Sequence, residues 1–199
     1  MHYDADKHTR RSIRLQGYDY TQSGAYFVTL CIHQRECLLG DIVDGLLRVN
    51  SWGEIVQEEW LRTEILRPAV ALDDFVIMPN HFHGIICIAN DGRDTELIRR
   101  GTARRAPTRE QFGRPVSGSL PTLIRAFKSA TTKRINERRG TTGILVWQRN
   151  YYEHIIRNEE ALKRAREYIA LNPLRWHLDC ENPQNRQEVK WAEDRARLS

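Results

Sequence analysis

The sequence of 199 residues has little of what marks a membrane, secreted or zinc-ribbon protein. No apolar run approaches the roughly 18–20 residues of a membrane span, and residues 1–7 lack the apolar segment of a secretory signal. The four cysteines include no CxxC pair, so we expect reduced and mostly structural thiols. These absences predict a cytoplasmic protein without a membrane partner, and the length predicts one domain with extensions.

The chain is moderately basic. It has 31 Lys and Arg residues against 26 Asp and Glu, which gives a net charge of +5. That excess alone is weak evidence for a nucleic-acid partner, but arginines crowd residues 10–14 and 90–118. Such clusters suit phosphate backbones, although a solvated charged loop explains 90–118 equally well. We therefore predict a basic arm over 1–22, a main domain over 23–173 containing the Arg-rich loop 90–118, and a tail over 174–199.

Hydrophobic periodicity predicts alternating strands and helices. Strands are predicted over 25–32, 72–78 and 81–89, with a hairpin turn at Asp44-Gly45 and one irregular or two short strands over 144–156. Helices are predicted after Asn50 or Ser51, after Ser119 or Pro121, and from the cap Asn158 to Asn172-Pro173. This order predicts an α+β sandwich of ferredoxin-like or RRM-like type. It has a central antiparallel sheet, helices on one face, the other face free for a ligand, and a C-terminal helix.

The tripeptide His81-Phe82-His83 stands between two strand-like runs and is the clearest chemical signal. Because side chains two apart in a strand share a face, both imidazoles project together while Phe82 points into the core. Two imidazoles supply half of a divalent-metal site, although such a pair is more often a surface or hydrogen-bonded pair.

Further ligands are offered by Tyr168 and Asn172, which are four apart and share one face of the last predicted helix. Asn172 brings an amide oxygen suited to a hard cation, and Tyr168 brings a hydroxyl. Asn172 before Pro173 is also a natural helix end, and Tyr168 is equally compatible with an ordinary core position. On the residues alone, Tyr151 and Tyr152 remain rival nucleophiles.

Four segments, in this order, carry a resemblance to a known family: residues 79–84, 127–129, 147–158 and 168–173. The chain resembles the HUH-type single-strand DNA nucleases with one tyrosine, and more closely the REP-associated tyrosine transposases. The likeness runs from about Gly17 to Pro183. Single-tyrosine insertion-sequence relatives usually carry Gln where this chain has Asn172, and Asn there is a REP-associated feature.

The resemblance implies a transposase that cleaves and rejoins single-stranded or hairpin DNA near palindromic repeats. By position, Tyr168 is the nucleophile that forms a covalent 5′-phosphotyrosine, and His81, His83 and Asn172 hold the metal. A phenol with a pKa of about 10 needs help at neutral pH, which a divalent ion on the phosphate supplies. The implied cofactor is Mg²⁺ or Mn²⁺, without a small-molecule cofactor, in a monomer or homodimer.

Further residues are predicted to contact DNA, each with an alternative. Arg125, Lys128 and Arg134 either track phosphates or form a solvated helix face. Arg149 and Gln148 follow Trp147, and Gln148 either touches DNA or holds a turn. His154 is a DNA contact, a third metal ligand or a structural hydrogen-bonding group.

Two other functions stay open. A non-catalytic nucleic-acid-binding protein descended from a transposase would need only stacking and basic residues. A metal-dependent hydrolase that acts through activated water would not need Tyr168.

Overall fold

The computed structural model describes residues 18, 20, 22–89 and 116–185. Most of the predicted basic arm, most of the Arg-rich loop 90–118 and the end of the tail lie outside the described residues. The strands are β1 Gly24–Cys31, β2 Gly40–Val43, β3 Leu46–Val49, β4 Val70–Ile77, β5 His81–Ile88 and β6 Tyr152–Ile156. The α-helices are α1 Ser51–Ile65, α2 Leu120–Arg139 and α3 Glu159–Leu171, and short 3-10 helices cover His33–Arg35 and Pro173–Leu178.

The central sheet has the strand order β4-β5-β1-β6, and every neighbouring pair is antiparallel. Each helical crossover, through α1 or α2, joins strands that are separated by one other strand, which is the split βαβ arrangement of ferredoxin-like folds. The predicted α+β fold with a central antiparallel sheet is confirmed. The separate β2–β3 hairpin turns at Asp44 and Gly45, whose φ angles of 54° and 74° give the left-handed turn that an Asp-Gly pair predicts.

One face of the sheet packs against α1 and α2. Phe82 is fully buried there beneath Trp60 of α1, whose ring centroid lies 4.7 Å from that of Phe82. Gly84 makes this close approach possible, because a Cβ at that position would stand 2.7 Å from Trp60 and 2.8 Å from Phe82. Phe82 therefore points into the core, away from the two histidines that flank it.

The opposite face carries α3, which packs Leu162 and Ile169 against Ala25, Ile85 and Cys87 of the sheet. The expectation that this face is free for a ligand is therefore only partly met. The reason is the apolar side of α3 itself, which must be buried and has no other surface to cover. The part of this sheet face that α3 leaves uncovered lies beside the helix, above β5.

The segment before β6 also differs from expectation. Residues 144–147 form no strand of their own, and Trp147 makes only an isolated bridge with Ile32. The indole Nε1 of Trp147 donates to Thr131 Oγ1 on α2 at 2.7 Å. The Gln148 N–H donates to the Cys31 carbonyl at the end of β1, so the segment is held against both the helix and the sheet without forming a regular strand. Within the described ranges, no helix combines the length and the apolar character needed to cross a membrane.

Candidate active site

The two histidines of β5 lie side by side on the face that carries α3. Their ring centroids are 4.6 Å apart, and His81 and His83 are 0% and 4% exposed. They do not form a surface pair, because strand alternation directs both imidazoles under α3. A buried polar pair requires partners, so the contacts of each nitrogen decide its role.

Each imidazole makes a close side-chain contact through its Nδ1 atom, and the Asn172 side chain lies near enough to His81 to oppose the effect of burial, which lowers the pKa of His81. His81 Nδ1 lies 2.9 Å from Asn80 Oδ1, and His83 Nδ1 lies 2.8 Å from Thr29 Oγ1 on β1. Neither Nε2 atom has a hydrogen-bond partner in the part of the chain that is described. Asp179 Oδ2 is 3.7 Å from His81 Nε2, beyond hydrogen-bond distance.

The end of α3 brings Tyr168 and Asn172 to these imidazoles. Asn172 is the C-cap of the helix and is 5% exposed, and its Oδ1 also lacks a hydrogen-bond partner among the described residues. The Tyr168 ring is 46% exposed and meets His83 edge to face at 5.1 Å between centroids. The spacing of four residues places both side chains on the face of α3 that looks onto β5, as predicted.

Burial controls the protonation of the site. It lowers the pKa of His81 to about 4, although Asp179 and Asn172 act in the opposite direction. Burial also lowers the pKa of His83 well below its ordinary value, and His81 adds to that effect. Both imidazoles are therefore neutral at pH 7, which is the form that binds a metal. Burial, followed by Asp179, raises the pKa of Tyr168, so its hydroxyl remains protonated.

The donor atoms fit a divalent cation. Nε2 of His81, Nε2 of His83 and Oδ1 of Asn172 are buried without partners, and leaving one such atom unsatisfied costs about 1–3 kcal/mol. Nitrogen and amide oxygen together suit Mn²⁺ or Mg²⁺. Across the described residues, no three His, Cys, Asp or Glu side chains group to hold a metal. A metal held by the two histidines would therefore need the amide of Asn172 as its third ligand.

A cavity of about 650 Å³ opens over these groups. His81, His83 and Tyr168 form part of its lining, together with His154 and Tyr152 from β6. Both rival tyrosines line this cavity. Tyr152 is 54% exposed, while the Tyr151 ring is partly buried against the core on the other face of the sheet. The volume accommodates a nucleotide-sized ligand beside the Tyr168 hydroxyl.

A second cavity of about 590 Å³ lies between α2 and residues 143–149. Arg125, Lys128 and Arg149 line it, and Gln148 lines both cavities. Lys128 has a structural task, because its Nζ donates to the backbone carbonyls of Gln148, Arg149 and Asn150. Burial lowers the pKa of Lys128 to about 8. This lysine fixes the segment that separates the cavities.

Arg134 is placed elsewhere on α2. Its guanidinium donates to Glu58 at 2.5 Å and to the buried Glu59 at 2.8 Å, both on α1. These ion pairs join α1 to α2, so Arg134 does not share a cavity with the other predicted DNA contacts. Its predicted contact with phosphate stays a prediction.

Three contacts of the site were not assigned from the sequence: Asn80, Thr29 and Asp179. Asn80 is adjacent to His81 in the Pro79-Asn80 turn, and Thr29 lies on the same sheet face as the histidines, so alternation along β1 was a usable signal for Thr29. Asp179 comes near His81 only because the Pro173–Leu178 helix returns the chain, which no local pattern predicts. The Trp176 ring, 6.0 Å from that of His81, packs at this return.

The fold is similar to that of a solved structure of another protein. A solved structure of a REP-associated tyrosine transposase bound to a REP hairpin aligns with a TM-score of 0.53, covering 82% of this chain and 74% of that one. Sequence identity is 17%, so the likeness shows a shared fold.

A protein of Haemophilus influenzae, described only as uncharacterized, is 37% identical over 187 residues, covering 89% of this chain and 95% of that protein. The chain belongs to the same family as that protein. No family model matches the sequence.

Proposed function

We propose that this chain is a metal-dependent DNA transesterase of the REP-associated tyrosine transposase type, acting on single-stranded or hairpin DNA. One observation carries the proposal: His81, His83 and Asn172 each bury a potential metal-binding atom without a described hydrogen-bond partner, and the two histidines share an open cavity with the half-exposed Tyr168. A non-catalytic DNA-binding surface has no need of such costly unpaired atoms.

His81, His83 and Asn172 would hold Mg²⁺ or Mn²⁺. Once bound, the ion would polarise the phosphate and stabilise the charge that develops on it. The chain's own residues keep the imidazoles neutral, exclude water from their Nε2 atoms and aim the Tyr168 ring across His83. Because Tyr168 keeps its proton in the resting protein, the phenol is unreactive until a substrate phosphate arrives.

The reaction is a transesterification. The Tyr168 oxygen forms a bond to phosphorus while the bond from phosphorus to the 3′ oxygen breaks. The phenol loses its proton, and the departing 3′ oxygen gains one. The phosphotyrosine keeps the phosphoester bond, so attack by a 3′ hydroxyl reverses the step without ATP.

DNA as the substrate is supported by the fold and by charge. The REP-associated tyrosine transposase with the same fold was solved with a REP hairpin. In this chain, Arg125 and Arg149 line a second cavity that meets the first at Gln148, which would carry a strand's phosphates toward Tyr168.

The test is incubation of the full chain with end-labelled single-stranded hairpin DNA from the flanks of its own gene, in Mn²⁺ or Mg²⁺, followed by a denaturing gel. We expect a covalent protein–DNA band with the wild type and with Tyr152→Phe, and none with Tyr168→Phe. Tyr152→Phe is the matched control because it removes another exposed phenol from the same cavity.

The other outcomes separate the alternatives. Cleavage without a covalent band that persists in Tyr168→Phe would identify a hydrolase that uses activated water. Tight binding without cleavage would identify a DNA-binding protein without catalysis. Loss of the band in Tyr152→Phe alone would assign the nucleophile to β6.

A further inference from the structure

Asn80, in the turn between β4 and β5, is a fully buried polar residue that joins three parts of the chain. Its Nδ2 donates to the carbonyl of Arg35 at 3.1 Å and to the carbonyl of Glu181 at 2.7 Å. Its Oδ1 lies 2.9 Å from Nδ1 of His81. Because both hydrogens of the amide are committed to carbonyl oxygens, the amide cannot be turned over without losing both bonds.

This fixed amide determines which nitrogen of His81 carries the proton. An amide oxygen only accepts, so the Nδ1 atom facing it must be the donor. A neutral imidazole has a single N–H group, so Nε2 of His81 is left as the bare lone pair. That is the atom that points to the proposed metal position and has no partner among the described residues.

His83 has a different kind of partner, so the constraint on the tautomer applies to His81 alone. Nδ1 of His83 faces the hydroxyl of Thr29 at 2.8 Å, and a hydroxyl can donate or accept. Thr29 therefore orients the His83 ring without dictating its tautomer, whereas Asn80 dictates that of His81.

The carbonyl of Glu181 is itself held in place. Arg35 Nε lies 2.8 Å from Oε2 of Glu181, so the two residues whose carbonyls orient Asn80 are joined by an ion pair. Glu181 therefore helps to fix the orientation of the Asn80 amide, and through it His81, from about 100 positions away in the sequence.

We infer that Asn80 is a positioning residue that locks His81 in its Nδ1-protonated tautomer and presents the Nε2 lone pair for metal binding. The metal part of this inference rests on the proposed function, while the tautomer part does not. Contacts of this kind behind a metal-ligating histidine are commonly worth 10- to 100-fold in metal affinity.

The first experiment reads the tautomer directly in metal-free protein. Long-range ¹H–¹⁵N correlation spectra of the histidine rings at neutral pH distinguish a protonated Nδ1 from a protonated Nε2. We expect wild-type His81 to be protonated on Nδ1 and Asn80→Ala to give a mixture or the opposite tautomer. Thr29→Val should leave the tautomer of His81 unchanged, because the Thr29 hydroxyl contacts the His83 ring.

The second experiment titrates Mn²⁺ alone into each variant by calorimetry. We expect Asn80→Ala to weaken Mn²⁺ binding by about 10- to 100-fold. A wild-type His81 protonated on Nε2 would overturn the inference, and this readout does not depend on any variant folding. An unchanged tautomer in Asn80→Ala would overturn it as well.

The two proposals fail differently. If wild-type protein binds no Mn²⁺, the metal-dependent function fails, while the spectra still decide the role of Asn80. If Mn²⁺ binds and the covalent band forms, but His81 is protonated on Nε2, only the inference about Asn80 fails.

Discussion

The helix that carries Tyr168 and Asn172 is anchored to the sheet by one ion pair, and this contact yields a quantitative prediction. Arg166 of α3 donates from Nε to Asp73 Oδ1 at 2.9 Å and from Nη2 to Asp73 Oδ2 at 2.6 Å. Asp73 lies where the pairing of β4 with β5 shifts register between Leu72 and Phe75. Such a bulge redirects a side chain, here toward α3.

The magnitude follows from the unequal burial of the two partners. The Asp73 side chain is 5% exposed and that of Arg166 is 41% exposed. Removing one partner of a fully buried pair costs about 3–5 kcal/mol. Because water can enter where the guanidinium was, we expect Arg166→Met to lower the free energy of unfolding by about 2 kcal/mol, near the value for hydrogen bonds to charged groups.

The same helix offers a matched control in Arg164, which pairs with Glu160 four residues earlier. Their side chains are 62% and 80% exposed, so Arg164→Met should cost no more than about 0.5 kcal/mol. Urea unfolding of both variants measures the difference, and Asp73→Asn closes a double-mutant cycle with Arg166→Met. Equal costs for Arg166→Met and Arg164→Met would refute the reasoning. Where the anchor is lost, the covalent DNA band should also weaken, because Tyr168 and Asn172 lie on α3.

Two further predictions concern buried polar atoms. Asn172→Leu removes an amide oxygen without a described partner, so in EDTA we expect unchanged stability or a gain of about 1 kcal/mol, together with loss of the thermal stabilisation by Mn²⁺. Retained Mn²⁺ stabilisation in this variant would contradict the ligand assignment. Thr131→Val deprives the buried Nε1 of Trp147 of its 2.7 Å acceptor and should cost about 1–3 kcal/mol by urea unfolding. In a Trp147→Phe background the same change should be nearly neutral, and an equal cost there would contradict the assignment.

Much of the fold could be predicted because its signals are local. Runs of β-branched, aromatic and other apolar residues predict β1 and β5, and the caps Asn50 and Asn158 mark helix starts that the structure confirms with side-chain hydrogen bonds. The failures are contacts between elements. A local run of apolar residues suggests a strand over 144–147, but this segment makes only an isolated bridge with Ile32 and is also bonded to α2 through Trp147.

The same distinction between local signals and contacts between elements applies to the candidate site. Spacings of two in β5 and four in α3 predict which side chains share a face, and the structure places those faces together. No spacing predicts that Arg134 forms ion pairs with acidic residues of α1, because its contact with Glu59 joins positions that are 75 apart in the sequence.

Least accessible to sequence reasoning is the choice of nitrogen on His81. A motif names the proposed ligand residue, but a metal would bind one atom of it. In the arrangement that we infer, Asn80 selects that atom, and the orientation of Asn80 depends on the carbonyls of Arg35 and Glu181. A sequence that kept both histidines and Tyr168 but lost this amide would still match the motif. By this reasoning it would present His81 in a mixture of tautomers and bind metal more weakly. The motif is therefore necessary for the proposed chemistry, and the amide behind it makes the site competent.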